Sequence, residues 1–585
     1  MNIKEELIDI LGKSIKEIFA LSQDLTEIKT LIKITIPPDP TLGDFALESF
    51  PFAKLLGLAP VKIAEKISEN MQSEIIAEVK NLGPYVNIKL DNKKYFERVL
   101  GSLTETVATK QKPTGKKITL EYLSPNTNKP LHLGHIRNGC LGTAIANIKT
   151  HIGDDVAKLI LVNDRGVHIC KSMLAWQKFG NGETPESTGL KGDHFVGKYY
   201  VRFAQESEKN PELKEEAQAM LKKWEDGDKE ILELWKKMNT WAYVGYEKTF
   251  DTLGFEFDKF YYESDTYKLG KNIVEDGLEK GIFKKDENGL IYYILPEAEF
   301  GLDQDGQEKK VVVTRGDGTS VYITQDMGTA VERFNDYRFD ESIYVVGSEQ
   351  RYHFKCLISI LTALGNDWAK NIRHFAYGMV YLPEGKMKSR EGKIIDADNF
   401  IEEMEALARI AIREKHIDLS DIEVNRRARI IALGAIKFYI LRVGAEQDIH
   451  FDPKESISFT GFTGPYCQYA YARISGIISK AQKEKIDFEN ADLSLLGNAE
   501  EKLLLQKILL FNEKVNESAV SLSPSTLALH IYETAKAFNQ FYHQHNVLTA
   551  ENLELVKSRL FLSESVATLI KKGLELLGID VMDNM

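Results

Sequence analysis

The stretch that decides the fold runs from Glu121 to His135 and reads EYLSPNTNKPLHLGH. Residues 118–123 have the composition of a buried β-strand, and the residues after them form a polar, proline-containing loop. An apolar pattern with helical spacing then covers residues 133–150. Because a helix N-terminus exposes unpaired N–H groups and a partial positive charge, this strand–loop–helix unit is suited to bind a phosphate.

Two histidines, His132 and His135, stand where the predicted helix begins. They are three residues apart and can share one face of the first turn, and Gly134 between them leaves room for a ligand to approach the backbone. Histidines at a helix start can also be structural or incidental. Their position directly after a strand and a loop favours the ligand-binding interpretation.

Alternation of strands and helices continues along the chain. Residues 157–162 read as a strand followed by a helix, and residues 343–346, 354–364 and 375–382 read as strand, helix and strand. This alternation predicts an α/β fold with a Rossmann-like parallel sheet as its core. Between the two halves lies a long interruption, whose Lys- and Glu-rich part, residues 206–237, reads as solvated helix.

The rest of the chain predicts two further domains. Residues 1–110 combine two helical patterns with a strand-like segment and read as a small α+β domain, followed by a polar linker. From about Val424 onward helical patterns dominate and predict an all-α bundle. We therefore predict an N-terminal domain over 1–110, a core domain over 111–452 with an insertion near 190–300, and a helical domain over 453–585.

Composition narrows the class of protein. The chain has 585 residues, of which 43% are hydrophobic and 28% charged, as in a soluble globular protein. It lacks a signal-peptide pattern and any apolar run long enough to cross a bilayer, so we expect a cytoplasmic protein without membrane contact. The four cysteines are far apart in sequence, so we expect buried thiols without structural zinc, and we predict no protein-bound metal.

Charge alone gives no indication of a nucleic-acid partner. The net charge is −12, and the part of the chain from Ser456 onward is also slightly acidic. Binding depends on local basic surface rather than on the sum, so the charge argues only mildly against nucleic acid.

A second basic motif, Lys386-Met387-Lys388-Ser389-Arg390, follows the strand predicted to end near Leu382. With it, the HLGH segment resembles the paired HIGH and KMSKS motifs of class I aminoacyl-tRNA synthetases. The longer run SPNTNKPLHLGHIRN is similar to the version found in arginyl-tRNA synthetases. A basic pentapeptide is weak evidence alone, but its order and distance behind HLGH make the pair specific.

Further ordered motifs extend the resemblance over nearly the whole chain. GDFA at 43–46 and GPYVNI at 83–88 resemble the family's N-terminal domain, which contacts the tRNA elbow. VNDRG at 162–166, DHFVG at 193–197 and YITQD at 322–326 resemble its catalytic core, and residues 466–473 resemble the start of its anticodon-binding domain.

The resemblance implies an arginine pocket, and chemistry supports the residue types. A guanidinium is planar, permanently charged and rich in donors, so a selective site needs carboxylates for forked hydrogen bonds and polar groups for the α-amine. The positions that match the family's arginine contacts are Glu121, Asn126, Tyr322, Asp326 and Gln350, with Glu263 as a less certain third acid. Without the resemblance, Asp326 could equally be an ordinary helix N-cap.

The resemblance also implies the nucleotide and tRNA sites. The ATP-binding residues would be Pro130, His132, Gly134, His135, Lys386, Met387 and Ser389. His132, His135, Lys386 and Lys129 would be catalytic. Gln468, Tyr469 and Arg473 would contact tRNA; an aromatic beside an arginine suits stacking on unpaired bases, although Tyr469 could instead pack in the bundle core.

The function that follows is ATP-dependent attachment of L-arginine to tRNA(Arg) through an arginyl-adenylate, with release of pyrophosphate and AMP. The arginine carboxylate is already a nucleophile at neutral pH, so catalysis reduces to positioning and charge neutralisation, with Mg²⁺ as counter-ion. The family usually needs bound tRNA before it activates arginine. We expect a monomer.

Three rival interpretations remain. A synthetase for another amino acid, such as cysteine or glutamate, shares the motifs, but the cysteine spacing does not supply the zinc ligands of a cysteinyl enzyme. Small nucleotidyltransferases share HxGH but lack a large helical C-terminal domain. A non-catalytic tRNA-binding paralogue is disfavoured because both histidines, Lys386 and the acidic residues are present.

One departure from the family pattern yields a specific prediction. Aligning Lys386-Met387 with the start of KMSKS places Ser389 where the second lysine belongs. Arginyl enzymes without that lysine resemble this chain in carrying a lysine three residues before the first histidine of HIGH. We therefore predict that Lys129 contacts ATP phosphate in its place; the alternative is a solvated loop lysine.

Overall fold

The computed structural model describes residues 3–37, 39–103, 107, 109–316, 318–382 and 396–585. The N-terminal part packs helices against a four-stranded antiparallel sheet of order β1-β2-β4-β3. Every fourth residue of the first helix, Ile3, Leu7, Leu11 and Ile15, is buried against this sheet domain, as expected for an amphipathic helix. The elements are α1 (Ile3–Ile18), α2 (Leu25–Thr30), β1 (Ile34–Thr35), β2 (Phe45–Glu48), α3 (Ala53–Leu56), α4 (Pro60–Asn70), β3 (Ile76–Leu82), β4 (Tyr85–Leu90) and α5 (Asn92–Gly101).

The central domain contains the predicted parallel sheet. Its five strands are all parallel and lie in the order β12-β11-β5-β6-β7, so the chain reverses direction across the sheet between β5 and β11. Ligands bind at such a reversal, outside the carboxyl ends of the strands. The elements up to the edge strand are β5 (Lys117–Glu121), α6 (Leu133–His151), β6 (Asp155–Val162), α7 (Val167–Phe179), α8 (Pro185–Thr188), α9 (Gly192–Lys209), α10 (Glu212–Glu225), α11 (Lys229–Leu253) and β7 (Lys259–Tyr262).

After β7 the chain builds a separate small sheet before it returns to the core. The three antiparallel strands of this sheet lie in the order β10-β9-β8, and the region has its own apolar core. Its elements, and those that complete the central domain, are α12 (Glu263–Thr266), α13 (Leu269–Glu279), β8 (Phe283–Lys285), β9 (Ile291–Ile294), α14 (Glu297–Phe300), β10 (Lys310–Thr314), α15 (Tyr322–Tyr337), β11 (Glu341–Gly347), α16 (Arg351–Ala363), β12 (Ile372–Tyr377) and β13 (Val380–Tyr381).

The C-terminal part is helical apart from one short strand, and it begins earlier than the sequence pattern indicates, at Ala397 rather than near Val424. Its elements are α17 (Ala397–Lys415), α18 (Asp421–Leu441), β14 (Ile449–His450), α19 (Pro453–Ser456), α20 (Gly464–Lys483), α21 (Ala499–Ser521), α22 (Pro524–Gln544) and α23 (Leu553–Leu576). Among the described helices, none is long and apolar enough to cross a membrane.

The predicted fold class, an α/β core with a small α+β N-terminal domain and an all-α C-terminal bundle, is confirmed. One feature differs from the prediction. The edge strand β7 belongs to the core sheet but comes from within residues 190–300, the range predicted as an insertion. The range therefore contains two inserted parts, α9–α11 before the strand and α12–α14 after it.

Close packing fixes helix α6 against the sheet. A Cβ atom at Gly142 would lie 2.2 Å from the Tyr122 ring, and one at Gly139 would lie 2.2 Å from the Phe255 ring. The two glycines therefore allow aromatic side chains to contact the helix backbone directly. This holds the start of α6 at the carboxyl end of β5.

Candidate active site

The two histidines of the HLGH segment cap helix α6 reciprocally. His132 is the N-cap residue, and its Nδ1 accepts the backbone N–H of Gly134 at 3.2 Å. His135 Nδ1 accepts the backbone N–H of His132 at 3.0 Å. The arrangement is a capping box made from two imidazoles, whose ring centroids are 3.9 Å apart.

Burial determines the protonation of both rings, and the capping bonds determine which nitrogen carries the remaining proton. Burial, followed by the charge of Lys129, lowers the pKa of His132 to about 4, and burial also lowers the pKa of His135 well below its usual value. Both rings are therefore neutral at pH 7. Because each Nδ1 accepts a hydrogen bond, the remaining proton of each ring is on Nε2, which can donate to a ligand.

A cavity of about 580 Å³ lies against the histidines. It brings together three of the seven predicted ATP-binding residues and five of the six predicted arginine contacts. The predicted residues that line it are His132, Gly134, His135, Glu121, Asn126, Tyr322, Asp326 and Gln350.

Asp326 faces this cavity and is not a helix cap. The N-cap residue of α15 is Val321, and Asp326 lies in the second turn. Its Oδ2 is 2.5 Å from His353 Nε2 on α16. The N-cap alternative is therefore wrong, and the carboxylate is available to a ligand at the cavity wall. Tyr322, at the start of the same helix, is 80% exposed and contributes to the rim.

Glu121 is already paired inside the protein. Its carboxylate forms an ion pair with Arg333, whose side chain is only 1% exposed. The Arg333 guanidinium lies between the rings of Tyr261 and Tyr344, 5.0 and 5.1 Å from their centroids. Arg333 also lines the cavity. The sequence gives no indication of this role, because nothing distinguishes an arginine in the fourth turn of α15 from a solvated one.

Glu263 lies beside the cavity rather than in its lining. It opens α12, and burial, more than its charged neighbours, raises its pKa to about 7. The adjacent turn is fixed by Asp164, whose carboxylate accepts the Ser264 N–H, the Ser264 hydroxyl and the Tyr243 hydroxyl at 2.8 Å each. A direct contact between Glu263 and arginine stays a prediction.

Lys129 and Pro130 line a second cavity, of about 910 Å³, on the other side of His132. Burial lowers the pKa of Lys129. Among the described residues its ammonium has no hydrogen-bond or ion-pair partner, whereas Lys198 in the same cavity pairs with Glu183 at 2.7 Å. A half-buried lysine without a protein partner fits a phosphate contact and also a solvated loop lysine, so the role of Lys129 stays a prediction.

An ionic cluster closes this side of the site. Asp193, His194 and Asp398 are close enough together to hold a metal ion. However, the Lys191 ammonium lies 2.6 Å from Asp398 and 3.3 Å from Asp193, and His194 Nε2 is 2.7 Å from Asp398. Lys191 thus supplies the positive charge that a cation would bring. The cluster fixes the N-terminus of α17, where Asp396 bridges to His132.

The predicted tRNA contacts divide into two kinds. Gln468 is fully buried and donates to the carbonyls of Ile430 and Asp580, at 3.2 and 2.7 Å, so its side chain joins α20 to α18 and to the C-terminal tail. Tyr469 and Arg473 are half-buried on one face of α20, with the guanidinium 4.8 Å from the tyrosine ring centroid. The Tyr469 ring also packs against Phe459, with centroids 6.0 Å apart, so a tRNA contact stays a prediction. Lys386, Met387 and Ser389 lie outside the described residues.

Comparison with known proteins covers all three parts of the chain. Family models match at residues 5–90 (arginyl tRNA synthetase N terminal domain), 98–452 (tRNA synthetases class I (R), catalytic domain) and 467–585 (DALR anticodon binding domain). An arginine–tRNA ligase of Parabacteroides distasonis is 42% identical over the full length of both chains. One of Treponema denticola is 44% identical over 95% of each chain.

A solved structure agrees with these relatives. The Thermus thermophilus arginyl-tRNA synthetase superposes with a TM-score of 0.78 and 25% identity, over 99% of this chain and 100% of the other. Full-length relatives at this identity, together with three family models in the expected order, decide the family. The chain belongs to the arginyl-tRNA synthetases, a family of class I aminoacyl-tRNA synthetases.

Proposed function

We propose that the cavity beside the HLGH helix forms arginyl-adenylate from arginine and ATP, and that the arginyl group then passes to tRNA(Arg). The arginine–tRNA ligase activity follows from the family. The assignment of steps to residues is our proposal. The observation that carries it is a single cavity lined by two neutral imidazoles at a helix start and by the acids expected for a guanidinium.

In the first step an arginine carboxylate oxygen attacks the α-phosphorus of ATP, the bond to the bridging oxygen breaks, and pyrophosphate leaves. No proton is removed, so no general base is needed. The Nε2–H groups of His132 and His135 donate to phosphate oxygens, and the helix N-terminus adds its dipole. Neutral imidazoles with Nδ1 occupied by the capping bonds are held in the donating tautomer.

Lys129 stabilises the departing phosphates from the second cavity. Lys129 lies beside His132 and pairs with no other group among the described residues. Its ammonium would stabilise the negative charge that develops on the phosphates as pyrophosphate leaves. In the described part of the chain, the cluster suited to a metal already contains the Lys191 ammonium. We therefore infer that Mg²⁺ enters with the ATP phosphates, where it neutralises charge.

Arginine is recognised mainly by Asp326. Glu121 has one oxygen engaged with Arg333 and the other 3.3 Å from the Ser124 hydroxyl, whereas among the described residues Asp326 has one hydrogen-bond partner, His353. The phenol of Tyr322 can reach the substrate from the rim, and Asn126 and Gln350 supply polar groups for the α-amine.

In the second step the terminal ribose hydroxyl of tRNA attacks the arginyl carbonyl and AMP leaves. We propose that Tyr469 and Arg473 contact the anticodon region, because both are partly exposed on one face of α20. Gln468 is left out of this surface, since its side chain is buried and bonded to two backbone carbonyls.

Exchange of pyrophosphate into ATP, measured with each amino acid, with and without tRNA, tests the proposal. We expect exchange that depends on arginine and on tRNA(Arg). Charging of tRNA with another amino acid would contradict the assigned specificity. Robust arginine-dependent exchange without tRNA would contradict only the tRNA requirement.

A further inference from the structure

Two buried polar side chains directly after the HLGH segment, Arg137 and Asn138, have no role in the proposed chemistry. We infer that they are positioning residues for adenylate formation, which fix the histidine-bearing helix to the opposite wall of the cavity. The inference rests on the proposed nucleotide site at His132 and His135.

Arg137 joins α6 to two distant segments through four hydrogen bonds. Its Nη1 donates to the carbonyls of Gly378 and Met379 at 2.7 and 2.8 Å. Its Nη2 donates to the carbonyls of Ala445 and Gln447 at 2.8 and 2.6 Å. The side chain is 1% exposed, and within the described structure it pairs with no carboxylate. A planar fork can hold four carbonyls at once, whereas an ammonium cannot match that geometry.

The two segments held by Arg137 form one unit that walls the cavity. Gly378 N–H donates to the Ala445 carbonyl at 2.9 Å, and Met379 N–H donates to Asp448 Oδ1 at 2.7 Å. The short strands β13 and β14 pair directly after these contacts. Because residues 377–380 line the cavity, Arg137 sets the distance between this wall and the helix that bears the histidines.

Asn138 fixes the remaining side of the cavity. Its Oδ1 accepts the N–H of Leu123 at 2.6 Å, and its Nδ2 donates to the carbonyl of Val345 at 2.8 Å and to the Tyr377 hydroxyl at 3.1 Å. Leu123 has a φ of 63°, a conformation that a branched side chain adopts only when its surroundings enforce it. Asn138 thus holds the strained turn at the end of β5 against β11 and β12.

These contacts indicate that Arg137 and Asn138 position other groups and do not themselves act on the substrate. Except for Arg137 Nε, the donors and acceptor of both side chains are engaged by the protein itself. They act through the groups that they align, which come from four separate stretches of sequence. A displacement of about 1 Å in a reacting geometry can cost about 100-fold in rate, so alignment on this scale is a measurable contribution.

The test compares Arg137→Lys with Arg559→Lys. Arg559 is a matched control, because it is also buried and binds Glu501 and the Asn546 carbonyl, but in the C-terminal bundle. Single-turnover adenylation is measured at saturating tRNA, together with arginine affinity. We expect Arg137→Lys to adenylate about 100-fold more slowly with unchanged arginine affinity, and Arg559→Lys to keep the wild-type rate.

Chemical rescue separates positioning from general destabilisation. Added guanidinium ion should restore part of the adenylation rate of Arg137→Ala and leave Arg559→Ala unchanged. If Arg137→Ala does not fold, Arg137→Lys decides alone. A wild-type rate in Arg137→Lys, or an equal loss in Arg559→Lys, would overturn the inference. If instead His132→Ala adenylates normally, the proposed nucleotide site fails, which is a different result.

Discussion

At the scale of single residues, the arginine site depends on which acid carries an uncompensated charge. Arg333 neutralises Glu121 from inside the protein, whereas in the described part of the chain Asp326 has one hydrogen-bond partner, His353. We therefore expect recognition of the substrate guanidinium to depend mainly on Asp326. The acids in the sequence indicate a cationic ligand, but the sequence does not show which of them is neutralised by another part of the protein. That depends on Arg333, a buried arginine 212 positions further along the chain than Glu121.

Asp326→Asn should weaken arginine binding and leave ATP binding almost unchanged. The substitution keeps the size of the side chain and removes one charge-assisted hydrogen bond, worth about 1.5–3 kcal/mol. Steady-state KM values for arginine and ATP measure the difference. Asp336→Asn on the same helix is the control, since Asp336 bonds Lys259 and Tyr261 instead. An unchanged arginine KM would show that Asp326 is structural.

Glu263 gives a prediction about pH. Burial raises the pKa of its carboxyl to about 7, so the group is largely neutral at pH 6 and charged at pH 8. If Glu263 contacts arginine, affinity for arginine should rise across this window, because the ionised form attracts the guanidinium. Isothermal titration of wild type and Glu263→Gln measures this. The rise should be absent in Glu263→Gln, and an identical pH profile in both proteins would remove Glu263 from the site.

Lys129→Ala should slow adenylation and spare the transfer step. If Lys129 contacts ATP phosphate as proposed, its loss should cost about 1.4–2.8 kcal/mol of transition-state stabilisation, which corresponds to about one to two orders of magnitude in rate. Transfer from preformed arginyl-adenylate is unaffected because pyrophosphate has already left. Single-turnover kinetics of each step decide the question. Lys198→Ala is the control in the same cavity; equal slowing of both steps in Lys129→Ala would contradict the role.

At the scale of elements, the sheet and its phosphate-binding helix could be predicted because their signals are local. A strand, a polar loop and a helix follow one another within residues 117–151, so the whole unit is contained in one continuous stretch of sequence. The edge strand β7 gave no such signal. Its four residues lie between a long helix and a short one, and only pairing with β6 makes them part of the core. Pairing between strands that are far apart in the sequence cannot be predicted from the residues of one strand alone.

The capping of α6 allows its structural and chemical contributions to be separated. His132→Ala removes the N-cap acceptor and should cost about 1 kcal/mol of the free energy of unfolding. His132→Asn restores a good N-cap but not the Nε2–H donor. We expect normal stability with adenylation slowed about 100-fold in His132→Asn, as for loss of one transition-state donor. Urea denaturation and pyrophosphate exchange give the two readouts. Wild-type exchange by His132→Asn would show that His132 only caps the helix.

At the scale of the whole molecule, the N-terminal domain docks on the C-terminal bundle through a buried ion pair. Asp44, which is 3% exposed, accepts the N–H of Leu90 at 2.8 Å, and its other oxygen is 3.3 Å from Lys502 on α21. The GDFA motif that contains Asp44 therefore serves the junction between the two domains predicted to contact tRNA. The family resemblance indicated a tRNA role for this motif, and no pattern in the sequence pointed to Lys502 as its partner.

Lys502→Met should loosen this junction without disturbing the catalytic cavity. The substitution keeps the apolar stem of the side chain but leaves a buried carboxylate without its cation, which costs about 1–3 kcal/mol. Hydrogen exchange should accelerate in β2 and β4, since Asp44 also holds Leu90. The KM for tRNA should rise while the KM values for arginine and ATP stay constant, because two tRNA-contacting domains lose their fixed spacing. Lys507→Met is the matched control on the same helix, as Lys507 pairs with Glu533 within the bundle. If both variants show the same exchange and the same tRNA KM, the ion pair does not set the spacing of the domains.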